Sequence, residues 1–393
     1  PRGILLTGDP GVGKTMFAKA FANEVNATLF FASGADFAEL YVGVGAKRVR
    51  NLFRNARIAS PAIIFIDEFD AIGNRETMGN DTERLSVVNQ LLTEMDGLGK
   101  KEDIFVIATT NYENKIDKAL LRPGRIDKKI HIPLPEKETR IKIIEKYLGQ
   151  FKMEREDLDI LGLRTQYYSG SSLKNLVDEA KNLHFKKNNN EKIITLDIFS
   201  EVQENSLLGI KQNIEVKSEQ EKRIAYHEIG HALISHLLIK NKKVEKVVIQ
   251  PRGNALGYTW SIPIEEMFLY SKEDLLNNIK MLLAGQVAEE IFMGVTTNGS
   301  SDDLLRANSI AKEMILKFGM SNQFPLYVET EKHIIPDNIK AEISTILMEE
   351  YKKTKEILLL NRNNIENIFK ILIEKKEISG DELIKILKND EEK

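Results

Sequence analysis

Cysteine is absent from all 393 residues. That excludes disulfides and every thiolate metal site, so a transition metal held by this chain must sit on histidine and carboxylate. Histidine itself is scarce, six in all, which gives weight to any close pair. Long apolar runs are missing too: none approaches the ~20 residues that a membrane-spanning helix needs. Neither sign of charge dominates. Basic residues number 56 against 59 acidic, a net charge of −3, and that leaves no basic excess for a dominant nucleic-acid footprint. No internal repeat and no long low-complexity segment appears. What remains is an ordinary globular balance, 42% hydrophobic and 29% charged, in a chain long enough for two or three domains.

Residues 1–135 alternate short apolar runs with helical patterns. Ile4–Thr7, Ala62–Asp67 and Ile104–Thr110 lack polar alternation, as strands buried on both faces do. Helices are predicted over Lys14–Val25 and Arg48–Ala56, the second with Val49, Leu52, Phe53 and Ala56 on one face. This alternation predicts a mainly parallel sheet with helices on both sides. Over 136–209 the strand signal disappears, and Glu138–Leu148, Leu173–Phe185 and Thr195–Leu208 read as a small helical domain. Gly209–Lys217 is a polar connector. A third, mostly helical domain follows over 218–388, interrupted by strand-like stretches at Val244–Gln250 and Leu256–Ser261. Because Pro1 abuts the first strand pattern, the chain is expected to be the interior of a longer protein.

The segment Gly8-Asp9-Pro10-Gly11-Val12-Gly13-Lys14-Thr15 matches the phosphate-binding pattern G-x-x-x-x-G-K-[ST], with a buried strand before it and a helix after it. Glycines let backbone N–H groups curl around phosphate oxygens. Lys14 is placed to neutralise the β- and γ-phosphates of ATP, and the Thr15 hydroxyl to ligate Mg²⁺. A second apolar strand ends in Asp67 and Glu68, where an open parallel sheet presents its ligands. Asp67 is assigned to Mg²⁺ and Glu68 to polarising the attacking water. Asn111 closes a third strand and is assigned to positioning that water. Arg122 and Arg125 flank a Pro-Gly turn as rigidly presented cations suited to phosphoryl-transfer charge. They lie far along the chain from Lys14, so the nucleotide of a neighbouring subunit is their expected target.

The other signal is Tyr226-His227-Glu228-Ile229-Gly230-His231. Residues four apart on a helix share a face, so His227 and His231 can reach one zinc ion, with Glu228 beside them as general base toward an attacking water. A third ligand is required. His236 fails the longer H-E-x-x-H-x-x-G-x-x-H spacing by one residue. A distant carboxylate is therefore expected, and spacing leaves Glu289, Glu290, Asp302 and Asp303 open.

An ATPase module followed by a zinc-hydrolase motif resembles the FtsH family of AAA+ zinc metalloproteases, from Pro1 to about Leu387. Three further segments carry the likeness: Tyr41-Val42-Gly43-Val44-Gly45-Ala46, Leu91-Leu92-Thr93-Glu94-Met95-Asp96-Gly97 and Pro251-Arg252-Gly253-Asn254-Ala255-Leu256-Gly257-Tyr258. The resemblance implies an α/β P-loop AAA+ domain with a helical lid, then a mainly α-helical zinc metallopeptidase domain. It implies that Tyr41, Val42 and Gly43 form a pore loop gripping substrate, although the family usually has Phe where this chain has Tyr41. Arg122 and Arg125 match arginine fingers acting across subunits, hence a homohexamer, and Asp303 matches the third zinc ligand. In the phosphate loop Asp9 and Val12 replace the commoner Pro and Thr.

The expected activity is ATP-dependent, processive proteolysis of polypeptides with Zn²⁺, ATP and Mg²⁺, in membrane protein quality control and without nucleic acid. Membrane anchoring is expected through segments absent from this chain. The catalytic domains are then expected in the cytoplasm or an equivalent organelle compartment, residues 1–393 being soluble by themselves. The competing expectation is an unfoldase with an inactive peptidase domain, against which both histidines, Glu228 and Asp303 argue. A plain nucleotide switch is disfavoured by Glu68 and the two arginines.

Overall fold

The computed structural model describes residues 2–37, 43–73, 82–99, 102–187, 192–209, 211, 217–253, 255–323 and 336–391. In chain order the first part comprises β1 (Gly3–Thr7), α1 (Lys14–Glu24), β2 (Thr28–Ser33), α2 (Val44–Ile58), β3 (Ala62–Asp67), α3 (Asp70–Gly73), α4 (Thr82–Asp96), β4 (Ile104–Thr110) and β5 (Lys128–His131). Four helices follow: α5 (Lys137–Leu148), α6 (Arg155–Arg164), α7 (Gly170–Lys186) and α8 (Leu196–Leu208). The remainder is α9 (Ser218–Leu238), β6 (Lys242–Val248), β7 (Tyr258–Pro263), α10 (Lys272–Met293), α11 (Ser301–Leu316), α12 (Asp337–Leu360), α13 (Arg362–Lys375), β8 (Glu377–Ser379) and α14 (Gly380–Glu391). Contacts divide the chain into two compact units, Pro1–Lys152 with Tyr167–Ile194, and Met153–Gln166 with Thr195–Lys393. Helices α5 and α7 thus belong to the first unit, α6 and α8 to the second.

The first unit is built on a parallel five-stranded sheet ordered β2-β3-β4-β1-β5. Successive residues of a strand point to opposite faces, and here both faces are covered. Leu5, Ile64, Ile66, Val106 and Ala108 pack with Val49 and Phe53 of α2 and Leu91 and Met95 of α4. Ile4, Leu6, Ile63, Phe65 and Ile107 pack with Ala18 and Ala22 of α1. Each such large side chain contributes ~1.5–3 kcal/mol when fully buried, and this two-sided demand is why the central strands read as unbroken apolar runs. Register sets Thr7 beside Thr110 and Ile66 beside Ala108. The C-terminal ends of β1, β3 and β4 therefore meet at one sheet edge, where ligands of open α/β sheets bind.

Two strands of this sheet go beyond the sequence expectation. β2 is half-exposed and β5 is exposed along all four residues, Lys128-Lys129-Ile130-His131. Both are edge strands, held by backbone pairing to β3 and β1 rather than by an apolar run of their own.

The second unit packs its helices around α9 and against a small antiparallel sheet, β7-β6-β8. Ala225, Ile229, Ala232 and Leu233 of α9 are fully buried with Ala284, Val287 and Ala288 of α10 and Val244 and Val247 of β6. The crossing of α9 and α10 is close because small residues meet there: a Cβ on Gly230 would lie 2.5 Å from the Ala284 carbonyl oxygen. α10 is well delimited. Ser271 and Asp274 form a reciprocal capping box at its start, and Gly294 ends it in the left-handed region.

Candidate active sites

In the first unit the phosphate loop connects β1 to α1. Gly8 and Gly11 have φ of 142° and 81°, and a side chain on either would strike the Ile132 carbonyl oxygen or the Ser171 hydroxyl. Only glycine fits both the dihedrals and the space. No side chain caps the start of α1, so its first N–H groups and its positive dipole end face the loop, an arrangement suited to anions. Lys14 curls back into that loop. Its ammonium donates to the carbonyls of Gly8 (2.7 Å) and Asp9 (3.0 Å) and to Asn111 Oδ1 (2.7 Å). Burial holds the Lys14 ammonium below its ordinary range, against the attraction of Asp67, Asp9 and Asp70. A cation that is desolvated and tied to neutral oxygens gains when phosphate arrives.

Asp67, at the end of β3, is gripped from three sides. Thr15 Oγ1 donates to its Oδ2 at 3.2 Å, the Glu68 amide to its Oδ1 at 3.1 Å, and Thr109 Oγ1 to the same Oδ1. Thr15 and Asp67, both oxygen donors, thus face one another as Mg²⁺ chemistry requires. Glu68 is exposed and sits at φ 50°. Gly34 makes room for its carbonyl, since a Cβ there would collide with it. Asp9, Pro10, Val12 and Gly13 complete the loop, and Asn111 is joined to it through Lys14.

The two arginines differ. Arg122 is exposed, whereas Arg125 is committed within its own chain. It donates to both carboxylate oxygens of Asp96, at 2.8 and 2.7 Å, and to the Ala119 carbonyl at 2.6 Å. Tyr41 and Val42 lie outside the described residues. Gly43 precedes α2 in the left-handed region, φ 86°, with open space where a side chain would begin.

In the second unit, His227 and His231 lie one turn apart on α9, and α11 brings Asp303 to them. The two Nε2 atoms face each other at 3.0 Å, and Asp303 Oδ2 stands 3.4 Å from that of His227 and 3.3 Å from that of His231. Both far nitrogens already have acceptors: His227 Nδ1 is 2.7 Å from Glu289 Oε1, and His231 Nδ1 is 2.7 Å from the Met281 carbonyl oxygen. Each Nδ1 therefore carries the proton that it donates, so in the neutral rings the lone pair lies on Nε2 and each Nε2 faces the other. Two converging lone pairs and a carboxylate fit a divalent cation, and two imidazoles with one carboxylate is a zinc donor set. Without a cation the burial of His227 opposes its charge, but the carboxylates of Asp303 and Glu289 outweigh this and push the ring up to about 10. Asp303 itself is held far below the usual carboxylate range; burial opposes this, and the two imidazoles overcome it.

Geometry separates the four candidate third ligands. Glu289 turns to the far side of His227 and also accepts from the Thr297 amide at 2.9 Å, so it orients a ligand rather than joining the cluster. Glu290 faces elsewhere, binding Tyr351 and, at 2.7 Å, Lys355. Asp302 is exposed. Only Asp303 converges with the histidines among the described residues. Glu228 is buried beside them, and Thr259 Oγ1 lies 3.0 Å from both its Oε2 and its backbone oxygen. Burial raises the Glu228 carboxyl above its ordinary range, the direction that suits a general base.

Sequence reasoning missed the supporting residues Thr259, Thr297, Met281 and Gly285. The last is the tightest, because a Cβ there would lie 2.5 Å from the His227 ring. A glycine at helix spacing from an acidic pair was the one available signal for it.

Two family models match the chain: the ATPase family associated with various cellular activities (AAA) over residues 4–134, and Peptidase family M41 over 214–386. Among curated relatives, the ATP-dependent zinc metalloprotease FtsH 3 of Petrotoga mobilis is 41% identical over 99% of this chain and 64% of its own length. The ATP-dependent zinc metalloprotease FtsH of Thermotoga maritima is 40% identical, covering 100% of this chain and 68% of its own. That of Pseudothermotoga lettingae is 41% identical, covering 99% and 66%. The chain thus spans about two thirds of the length of these relatives.

Proposed function

The chain belongs to the FtsH family of ATP-dependent zinc metalloproteases, and from that premise we propose that it degrades polypeptides processively, with ATP and Mg²⁺ at the phosphate loop and zinc at the His227–His231–Asp303 cluster. The observation that carries this reading is the convergence of two imidazole Nε2 atoms and one carboxylate beside a buried Glu228, in a chain that also holds a complete phosphate loop.

Zinc bound at the cluster supplies Lewis acidity to the scissile carbonyl and to the attacking water. Glu228 takes the proton from that water and passes it to the leaving amide nitrogen, with the Thr259 hydroxyl holding the carboxylate in place. Glu289 and the Met281 carbonyl keep both rings in the tautomer that offers Nε2. In the first unit Lys14 neutralises phosphate charge, Thr15 and Asp67 provide the magnesium donors, and Glu68 and Asn111 orient the hydrolytic water. Tyr41, Val42 and Gly43 grip the substrate in a central pore.

Arg122 reaches the nucleotide of a neighbouring subunit, whereas Arg125 braces Asp96 and the turn that presents Arg122. This requires a ring, and the proposed assembly is a homohexamer. In this proposal residues 1–135 are the ATPase domain, 136–209 its lid and 218–388 the peptidase, while contacts group α6 and α8 of the lid with the second unit. No described helix is long and apolar enough to cross a membrane. Anchoring through segments outside these residues, with the catalytic parts on the cytoplasmic or equivalent side and a role in membrane protein quality control, belongs to the same proposal. The unfoldase alternative asks for a defective peptidase centre, and no residue of that centre is missing.

The test is separation of the two chemistries. Glu228→Gln is expected to keep zinc and ATPase activity and to lose peptide hydrolysis. Glu68→Gln is expected to bind ATP without turnover and to stop degradation of folded substrates. Substantial proteolysis by Glu228→Gln sinks the assignment.

A further inference from the structure

We infer that a small pocket lined by Lys242, about two helical turns along α11 from Asp303 of the metal cluster, is a subsite for an acidic side chain of the polypeptide being cleaved. The inference rests on the peptidase reading above and goes beyond it by naming a sequence preference. The pocket has a volume of about 190 Å³ and is lined by Asn241, Lys242, Tyr270, Leu275, Asn278 and Ile310. Cofactor pockets run to ~300–1,000 Å³, so this one suits a single side chain.

Its chemistry favours an anion. Asn241 and Asn278 line it, the Asn278 amide already donating to the Asp274 carbonyl at 2.8 Å, and Lys242 supplies an ammonium that no described carboxylate neutralises. Its one charged neighbour of consequence is another cation, Arg306. Burial, and secondarily Arg306, hold the Lys242 ammonium below its ordinary range. A largely buried ammonium whose charged neighbour is another cation is stabilised when an anion joins it.

Its position ties it to the cluster. Lys242 pairs with Pro263 of β7, the strand whose Thr259 holds Glu228. Asn278 lies one turn before Met281, whose carbonyl oxygen orients His231. Arg306 and Ile310 lie one and two turns beyond Asp303 on α11. Two helical turns rise ~10 Å, and an extended chain advances ~3.3 Å per residue. The acidic side chain is therefore expected about three residues from the scissile bond, on the side toward the end of β7 at Pro263.

The test compares peptides that carry Glu or Gln at each position up to about four residues from the cleaved bond. With the zinc-loaded protein, kcat/KM is expected to favour Glu by about tenfold at one such position, the worth of one charged hydrogen bond. Lys242→Gln with Arg306→Gln should bring that ratio to about one, and Lys242→Glu with Arg306→Gln should reverse it in favour of Lys-bearing peptides. Binding is measured separately, by fluorescence polarisation of the same labelled peptides on zinc-loaded Glu228→Gln protein. Equal affinity for the Glu and Gln peptides there overturns the subsite whatever the turnover. So does a Glu preference that survives in the double variant. Tight, Glu-selective binding without any hydrolysis by the parent protein would keep the subsite and defeat the peptidase reading instead.

Discussion

Gly285→Ala adds one methyl group, and the structure says where it goes. The new Cβ would stand 2.5 Å from both Cε1 and Nε2 of His227 and 2.7 Å from Nδ1. Non-bonded carbon contacts settle at ~3.5–4.0 Å, so the ring must retreat by about 1 Å. Such a retreat disturbs contacts that the ring holds at both nitrogens, with Glu289 at 2.7 Å and His231 at 3.0 Å. Metal ligands tolerate only ~0.2 Å of misplacement, so the cluster is left with two effective ligands. Disturbing the groups behind a ligand costs ~10–100-fold in metal affinity. Displacing the ligand itself is therefore expected to weaken zinc binding by at least about 100-fold. Overpacking should lower stability by ~1–3 kcal/mol, and ATPase activity should persist, because the phosphate loop lies in the other unit.

The assay is zinc competition against a chromogenic chelator, with ATP turnover and thermal unfolding followed in the same preparation. Gly230→Ala is the companion variant. Its Cβ meets the Ala284 backbone, at 2.5 Å from oxygen and 2.9 Å from carbon, so it should lose stability throughout the second unit rather than zinc selectively. Parent-like zinc affinity in Gly285→Ala would refute the reasoning.

Two further outcomes follow from the same geometry. Asp303→Asn should lose zinc affinity far more than Asp302→Asn, measured by the same competition, because only Asp303 Oδ2 faces both Nε2 atoms; equal retention would return the choice to the other carboxylates. Arg125→Ala should destabilise the first unit by up to about 1 kcal/mol after solvent screening of the Asp96 pair, seen as a lower melting temperature, whereas Arg122→Ala should leave it unmoved. Arg122→Ala should instead depress ATP hydrolysis in an assembly-dependent way, with partial rescue in rings mixed with Lys14→Ala; no rescue in verified mixed rings would place that arginine's action within its own subunit.

What was legible in the sequence was whatever local pattern could encode. The three central strands announce themselves because each must be apolar on both faces, and the phosphate loop and the His227–Glu228–His231 turn are short enough for spacing to fix their geometry. β5 carries no such mark: Lys128-Lys129-Ile130-His131 becomes a strand only because β1 offers it a partner. The carboxylates show the same limit from the other side. Glu289 and Glu290 are neighbours in sequence, yet one supports His227 and the other pairs with Lys355. Adjacent residues on a helix point ~100° apart, and only the packing of α9, α10 and α11 says which direction leads to the metal cluster. Arg125 likewise read as a free cation until its partner Asp96, from the end of α4, was in place.

The central claim is that one molecule couples a phosphate-loop motor to a zinc peptidase. The most direct measurement is zinc content together with casein-type degradation, with and without ATP, in a single preparation of assembled protein. The account predicts one zinc per chain, matching the single cluster found among the described residues, and degradation that needs ATP, stops on chelation and returns when zinc is restored. Degradation that persists in the zinc-stripped protein, or a zinc-loaded protein that hydrolyses ATP and cleaves nothing, would contradict it.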